Sequence, residues 1–272
     1  MQKVFNLTNK YIILATPLIL FSFLSTIYMV ISTSGGKIIN LIFAIILFLL
    51  MTGAFIAGWF NMIKLAVTDF DDENPNNLIK EFPSGVGEYF LTSTTGLVIM
   101  FGFGALLLFL AYSIGIHFIG EIGIPTDSLT KALQSTSELK SFIYSLTPEQ
   151  LEKMNLWNML ILGTISLANY LLILYFPTIF FKSKNPFFAL FISLKDLFSK
   201  KILKTTGIFL LIYFVNFLIS LFLALFGNNA IMHFVLTLVN FYFITTVAVG
   251  IFYYYFENFV KTLIGKNVDI EI

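Results

Sequence analysis

The side chains of this chain that could do chemistry are few and widely spaced. The densest group is an acidic run, Asp69, Asp71, Asp72 and Glu73, followed by Asn74-Pro75. Close carboxylates can hold Mg²⁺ against a diphosphate, as in membrane prenyl- or phospho-transferases, when basic residues bind the phosphate. Only Lys80 is near, and the chain has no Arg. A solvated acidic loop is the simpler reading; a Mg²⁺ site on Asp69, Asp71 and Asp72 is the weaker one. Two histidines, His117 and His233, lie near opposite-running span ends, and Glu121 follows His117 by four residues. That spacing suits a local hydrogen bond, and no ligand set accompanies it. No Gly-x-Ser-x-Gly elbow and no P-loop occur. The absence of Cys excludes disulfides, thiolate metal sites and thiol nucleophiles. No catalytic residue, metal or cofactor is therefore nominated.

Neutral polar residues inside apolar stretches form the other candidate set. Asn169, Asn216 and Asn240 fall one in each of the last three apolar stretches, whose middles contain no Asp, Glu, Lys or Arg. Such Asn residues join helices by hydrogen bonds worth about 0.6 kcal/mol on average. The alternative is a polar pocket of a small-solute or lipid transporter, although transport paths are usually marked by ionisable groups.

The elements that must carry these residues follow from composition. The 272 residues are 58% hydrophobic and 11% charged, with a mean hydropathy of +0.90 and 33 Phe. A soluble domain is about 25% charged, so water is the wrong solvent for this surface. Six stretches have the roughly 20 apolar residues that a spanning helix needs: about 11–31, 38–60, 89–113, 156–181, 202–226 and 231–256. The expected fold is an all-α integral membrane protein, a bundle of about six transmembrane helices. The first stretch is too long for a signal core and reads as a retained anchor.

All 16 basic residues are Lys. With the N-terminus placed in the cytoplasm, twelve lysines fall inside and Lys37, Lys131, Lys140 and Lys153 fall outside. This bias places both termini of a multi-pass protein in the cytoplasm and is in keeping with a bacterial inner membrane. Without Arg to grip phosphate in a bidentate way, nucleic acid is not an expected partner. The lipid bilayer is, with another membrane protein as a further partner.

Three connecting segments carry more signal than a linker needs. In 182–204, Leu190, Leu194, Leu197 and Phe198 share a helical face, with Lys195, Lys200 and Lys201 largely elsewhere. Two readings fit: an amphipathic helix whose lysines contact anionic headgroups, or a linker helix packed on the bundle. In 115–155, Thr147-Pro148-Glu149-Gln150 has the form of a capping box. The third segment, 64–88, holds the acidic run. Pro17 and Pro177 predict kinks, Gly53/Ala57 and Ala54/Gly58 give small faces for close packing, and Trp59 and Trp157 suit an interface.

A shift of 111 residues brings Asn74-Pro75 onto Asn185-Pro186, Thr94-Thr95-Gly96 onto Thr205-Thr206-Gly207, and Ala57 onto Ala168. The units, about 38–113 and 149–226, would be parallel repeats within a single polytopic domain, 1–272. Coincidence in a Phe-, Leu- and Thr-rich chain is the alternative.

The segments GWFNMIKLAV, LIKEFPSGVGEYFLTSTTG and NPFFALFISLKDLFSKK, with Ala189 and Ser193 four apart before a long apolar helix, carry a family resemblance. From the second span onward the chain resembles uncharacterised bacterial six-span membrane proteins related to the membrane domain found beside glycerophosphoryl diester phosphodiesterases. The resemblance implies a fold. Catalysis in that setting belongs to a separate soluble domain, so it transfers no catalytic residue. The leading expectation is a non-enzymatic protein that organises membrane partners or lipids. A transporter is the second, and a membrane-embedded lipid enzyme the third.

Overall fold

A computed structural model describes residues 2–33, 38–68, 74–123, 130, 135–226 and 229–261. The described residues form helices and turns and contain no strand. Helix α1 (Gln2–Lys10) leads through a 3₁₀ turn (Ile12–Leu14) into α2 (Ala15–Thr33). Next are α3 (Ile38–Val67), a 3₁₀ turn (Pro75–Lys80) and α4 (Glu81–Phe118). Then come α5 (Thr136–Ser145), α6 (Pro148–Leu172), α7 (Tyr175–Phe181) and α8 (Pro186–Leu197). The chain closes with α9 (Ile202–Phe226), α10 (Ala230–Tyr255) and a π-helical turn (Phe256–Val260). Six helical segments among the described residues are long and apolar enough to cross a membrane. The protein is an all-α membrane bundle.

The prolines break helices where kinks are expected. A proline ring clashes with the carbonyl four residues earlier and cannot donate to it. Pro17 sits in the first turn of α2, and Ile13, four before it, lies in the 3₁₀ turn. Pro177 sits in the first turn of α7, and Ile173, four before it, lies in the two-residue break after α6. Each ring thus occupies a helix start, where no donor is needed.

The chain divides into two compact units, Met1–Met100 with Leu171–Ile272, and Phe101–Tyr170. In the first, the core gathers around the ends of α3, α7 and α10, where lysines are also concentrated. Tyr11, Leu14, Trp59, Met62, Ile63, Leu78, Tyr89, Tyr175, Ile179 and Phe252 are all buried there. Beyond this core the helices show apolar side chains outward. In α9 only Thr205 is buried, and Leu210, Phe214, Phe217 and Leu225 are exposed. Hydrocarbon tolerates that surface; water would drive it to aggregate.

Trp59 is buried among helices of the first unit. It is 4% exposed, stacks on Phe55 at 5.2 Å, and its indole N–H donates to the Leu14 carbonyl at 2.7 Å. That bond fixes the turn between α1 and α2 to α3.

Small residues bring α3 and α4 together as their spacing predicts. A Cβ added at Gly53 would stand 2.1 Å from Thr94 Oγ1 and 3.1 Å from Thr94 Cα. One added at Gly85 would stand 2.5 Å from Asn61 Cβ and 2.8 Å from the Ala57 carbonyl oxygen. Gly85→Ala must push these helices apart and is expected to cost about 1–3 kcal/mol. Equilibrium unfolding in mixed micelles reads the change, and wild-type stability would show that the helices are not held at this distance.

The two Asn-Pro sequences begin their turns alike. Asn74 accepts from the Asn76 N–H and Asn185 from the Phe187 and Phe188 N–H groups, each with Pro next. Beyond the caps the segments part. The first is a six-residue 3₁₀ turn running straight into α4, whereas the second is a separate twelve-residue helix.

In the unit Phe101–Tyr170, the capping box forms as read from the sequence. The Gln150 N–H donates to Thr147 Oγ1 at 3.2 Å, and Gln150 Oε1 accepts from the Thr147 N–H at 3.0 Å. Trp157 packs on Gly115 and donates to the Gly120 carbonyl at 3.1 Å. Gly120 has φ +78°, a left-handed value that suits glycine at the end of α4.

Candidate functional site

The lysine-rich end of the first unit carries the densest polar chemistry among the described residues, and its first half centres on Tyr89. This residue lies in α4, 1% exposed and stacked on Phe180 of α7 at 4.4 Å. Lys64, near the end of α3, donates to the Tyr89 hydroxyl at 2.9 Å. Lys184 pairs with Glu88 at 2.7 Å. The Lys64 and Lys184 ammonium groups lie 5.3 and 5.2 Å from the Tyr89 ring centroid, within cation–π reach.

The second half centres on Asp196 of α8. Its Oδ2 accepts from Lys182 and from the Tyr255 hydroxyl, both at 2.7 Å. Thr178 Oγ1 donates to that same tyrosine oxygen at 2.9 Å. Asp196 and Lys182 are 15% and 18% exposed at their side chains, so this ion pair is largely desolvated. Lys182 also lies 5.3 Å from the Tyr255 ring and 5.6 Å from the Phe259 ring. One carboxylate thus ties α7, α8 and α10 together. Lys182 and Lys184 stand on one short connection and serve the two halves separately.

The π-helical turn adds a third contact. A π turn spaces its hydrogen bonds differently from the helix before it and leaves carbonyls short of donors. Lys201 donates to the Asn258 carbonyl and lies 5.1 Å from the Phe259 ring. Lys204 donates to Asn258 Oδ1 at 3.3 Å, and Thr205 shares a hydrogen bond with the Tyr254 hydroxyl at 2.8 Å. Burial and the adjacent Lys204 hold the Lys201 ammonium below the ordinary lysine pKa, with Asp196 opposing.

These contacts sort the three lysines expected at headgroups. Lys201 turns inward as a structural anchor. Lys195 and Lys200 are exposed and make no ion pair with a described residue. The expected apolar face of α8 is also divided. Ala189, Ser193 and Leu197 are its buried stripe, while Phe198 is 61% exposed. Phe187, Phe188 and Phe191 are exposed with it. The helix therefore packs on the bundle through small residues and presents Phe and Lys outward. The reading of a helix packed on the bundle describes its buried side.

The remaining candidates fall elsewhere. Asp69, Asp71 and Asp72, with Glu73, lie outside the described residues. Asn169 and Asn216 are exposed and Asn240 is half-buried; no side chain of the three hydrogen-bonds to a described residue. His117 is exposed, with its ring 4.9 Å from that of Phe118, and His233 is exposed near the start of α10. No group of three or more His, Cys, Asp or Glu able to hold a metal occurs among the described residues.

Asp196 is the residue that sequence reasoning overlooked. A signal was present: it is the single acid between Lys182 and Lys204. An isolated carboxylate on an apolar helix needs donors. Here they come from Lys182 and Tyr255, and no local pattern reveals that distant tyrosine. Both donors bind Oδ2, so this one oxygen joins the three helices.

The fold and this end of the bundle define a multi-pass, all-α membrane protein with a fixed core of aromatic and cationic side chains. Comparison with family models, with curated proteins and with solved structures found no match.

Proposed function

We propose that this chain is a non-enzymatic protein of a bacterial inner membrane that organises lipids and membrane partners at the cytoplasmic leaflet through α8. Both termini lie in the cytoplasm, as the lysine bias directs. The resemblance to membrane domains that accompany glycerophosphoryl diester phosphodiesterases is in keeping with a supporting role in the bilayer. The observation that carries the reading is the outward face of α8. Phe187, Phe188, Phe191 and Phe198 are exposed beside exposed Lys195 and Lys200, on a helix pinned by Asp196. Aromatic rings at this position enter the boundary between headgroups and chains, and the ammonium groups meet anionic phosphates.

A lysine near an anionic surface contributes about 1 kcal/mol. Lys195→Gln with Lys200→Gln is therefore expected to lower the preference for anionic lipid roughly 30-fold. The probe is a tryptophan placed by Phe191→Trp in a Trp157→Phe background, with the signal of Trp59, recorded in Trp157→Phe alone, subtracted. The protein is reconstituted in vesicles of phosphatidylcholine and phosphatidylglycerol, and each lipid is brominated in turn. Brominated phosphatidylglycerol should quench this tryptophan more strongly, and the double lysine variant should remove the difference. Quenching by aqueous acrylamide but by neither lipid would place α8 in water and end the proposal.

A further inference from the structure

Helix α9 carries a polar group where a bilayer has nothing to meet it. The most apolar stretch of this helix has no buried residue, whereas each of the other five spans has some. Asn216 lies about 21 Å along α9 from Ile202 and about 15 Å from Phe226, at a rise of about 1.5 Å per residue. That is deep within a hydrocarbon layer about 30 Å thick. Asn216 is exposed, and its side chain hydrogen-bonds to no described residue. Acyl chains offer a carboxamide neither donor nor acceptor, so an amide left among them is costly.

The side chains beside it on the helix are small. Ser220 and Ala224 follow Asn216 by four and eight residues, so the three share one face. Both are exposed, and the Ser220 side chain also bonds to no described residue. In a helix otherwise rich in Phe and Leu, this is a narrow strip along which a second backbone can come close. Asn169 is exposed in another span and lacks such a strip. Ile165, four residues before it, is 43% exposed and would hold a second helix off.

The membrane itself decides which partner brings the missing group. Insertion gives every copy of this chain one orientation. Two copies related by a two-fold axis along the membrane normal then place their α9 helices side by side, with residue 216 of each at equal depth. A carboxamide is both donor and acceptor, so two of them satisfy one another. A second copy therefore supplies the right chemistry at the right depth. We infer that this protein self-associates in the membrane through α9, with Asn216 hydrogen-bonded to the partner's Asn216 and with Ser220 and Ala224 at the contact. The contact is separate from the outward face of α8 and goes beyond the role assigned to that face. Lys195→Gln with Lys200→Gln should leave self-association unchanged, so the two readings fail separately.

The test uses the whole protein in phosphatidylcholine vesicles. Copies labelled at the amino terminus with a donor or an acceptor dye are mixed, and energy transfer is followed as added lipid dilutes the protein. Transfer should be high at high protein-to-lipid ratio and fall on dilution. Asn216→Val should weaken the association about tenfold, and Asn216→Gln, which keeps a carboxamide, should retain most of it. The sequence has no Cys, so a single introduced thiol maps the face. Ser220→Cys should cross-link between copies on oxidation. Phe222→Cys, two residues on and nearly opposite on the helix, should not. A wild type that stays monomeric at every dilution would overturn the proposal. So would association unchanged in a folded Asn216→Val, or cross-linking of Phe222→Cys as strong as that of Ser220→Cys. If Asn216→Val does not fold, the wild-type dilution and the cross-linking comparison decide alone.

Discussion

Replacing Asp196 by alanine is expected to lower stability by about 3–5 kcal/mol, the usual cost of removing one partner from a buried ion pair. The substitution leaves the Lys182 ammonium, 18% exposed, without its carboxylate, and removes the acceptor of the Tyr255 hydroxyl. Three helices lose their shared contact at once. The loss should appear in equilibrium unfolding in mixed micelles and as faster proteolysis around α8. Removing the charge from both sides is a sharper test. Lys182→Met with Asp196→Leu replaces the pair by apolar groups, and such exchanges are often neutral or stabilising. A double variant more stable than Asp196→Ala would assign the cost to the stranded ammonium. A double variant as unstable as the single one would assign it to the Tyr255 bond and to lost fit.

Tyr89→Ala is expected to be comparably damaging, at about 3–5 kcal/mol for truncating a buried aromatic residue. The ring is 1% exposed, stacks on Phe180 at 4.4 Å and lies within reach of Lys64 and Lys184. Tyr89→Phe keeps the ring and its cation contacts but deletes the hydroxyl that accepts from Lys64. It should cost about 1–2 kcal/mol, in line with the loss of one charged hydrogen bond. If the two variants prove equally unstable, the hydroxyl carries the contact. If Tyr89→Phe is neutral, the ring does. The same unfolding measurement separates these cases, and in either event Lys64 should become more accessible to amine-reactive labels.

The two predictions share a physical setting. Away from the lysine-rich end, much of the helix surface faces outward, as on α9, and small changes there should cost little. At that end, aromatic rings, lysines and one carboxylate are packed out of water. Polar contacts in such a place are costly to leave unmade. The fold's stability is concentrated at this end, and the face of α8 is presented from it.

The spans were legible because their cause is local. A run of about 20 apolar residues must hydrogen-bond its own backbone in lipid, and a helix is the local solution. The capping box at Thr147 and Gln150 and the close approach at Gly53 followed from spacing of the same kind. Pro17 and Pro177 announced irregularities, and the rule that a proline suits a first turn explains why these became breaks. The hydrogen bond of Trp59 was not legible, because the Leu14 carbonyl that it meets lies 45 residues away in the chain.

By itself, then, the sequence determined the class of protein, an all-α membrane bundle, and set the positions of its spans, breaks and caps. Hydropathy and helix geometry act within a few turns and need no partner. Only the tertiary structure decided which lysines face outward and which face in. It turned Lys201 toward the π-helical turn and left Lys195 and Lys200 exposed. It also brought Tyr255 to Asp196, 59 residues apart in the chain. Those outcomes depend on how α8 rotates against α7 and α10. That rotation is set by burial of Ala189, Ser193 and Leu197 together, a choice that charge and periodicity on α8 alone leave open.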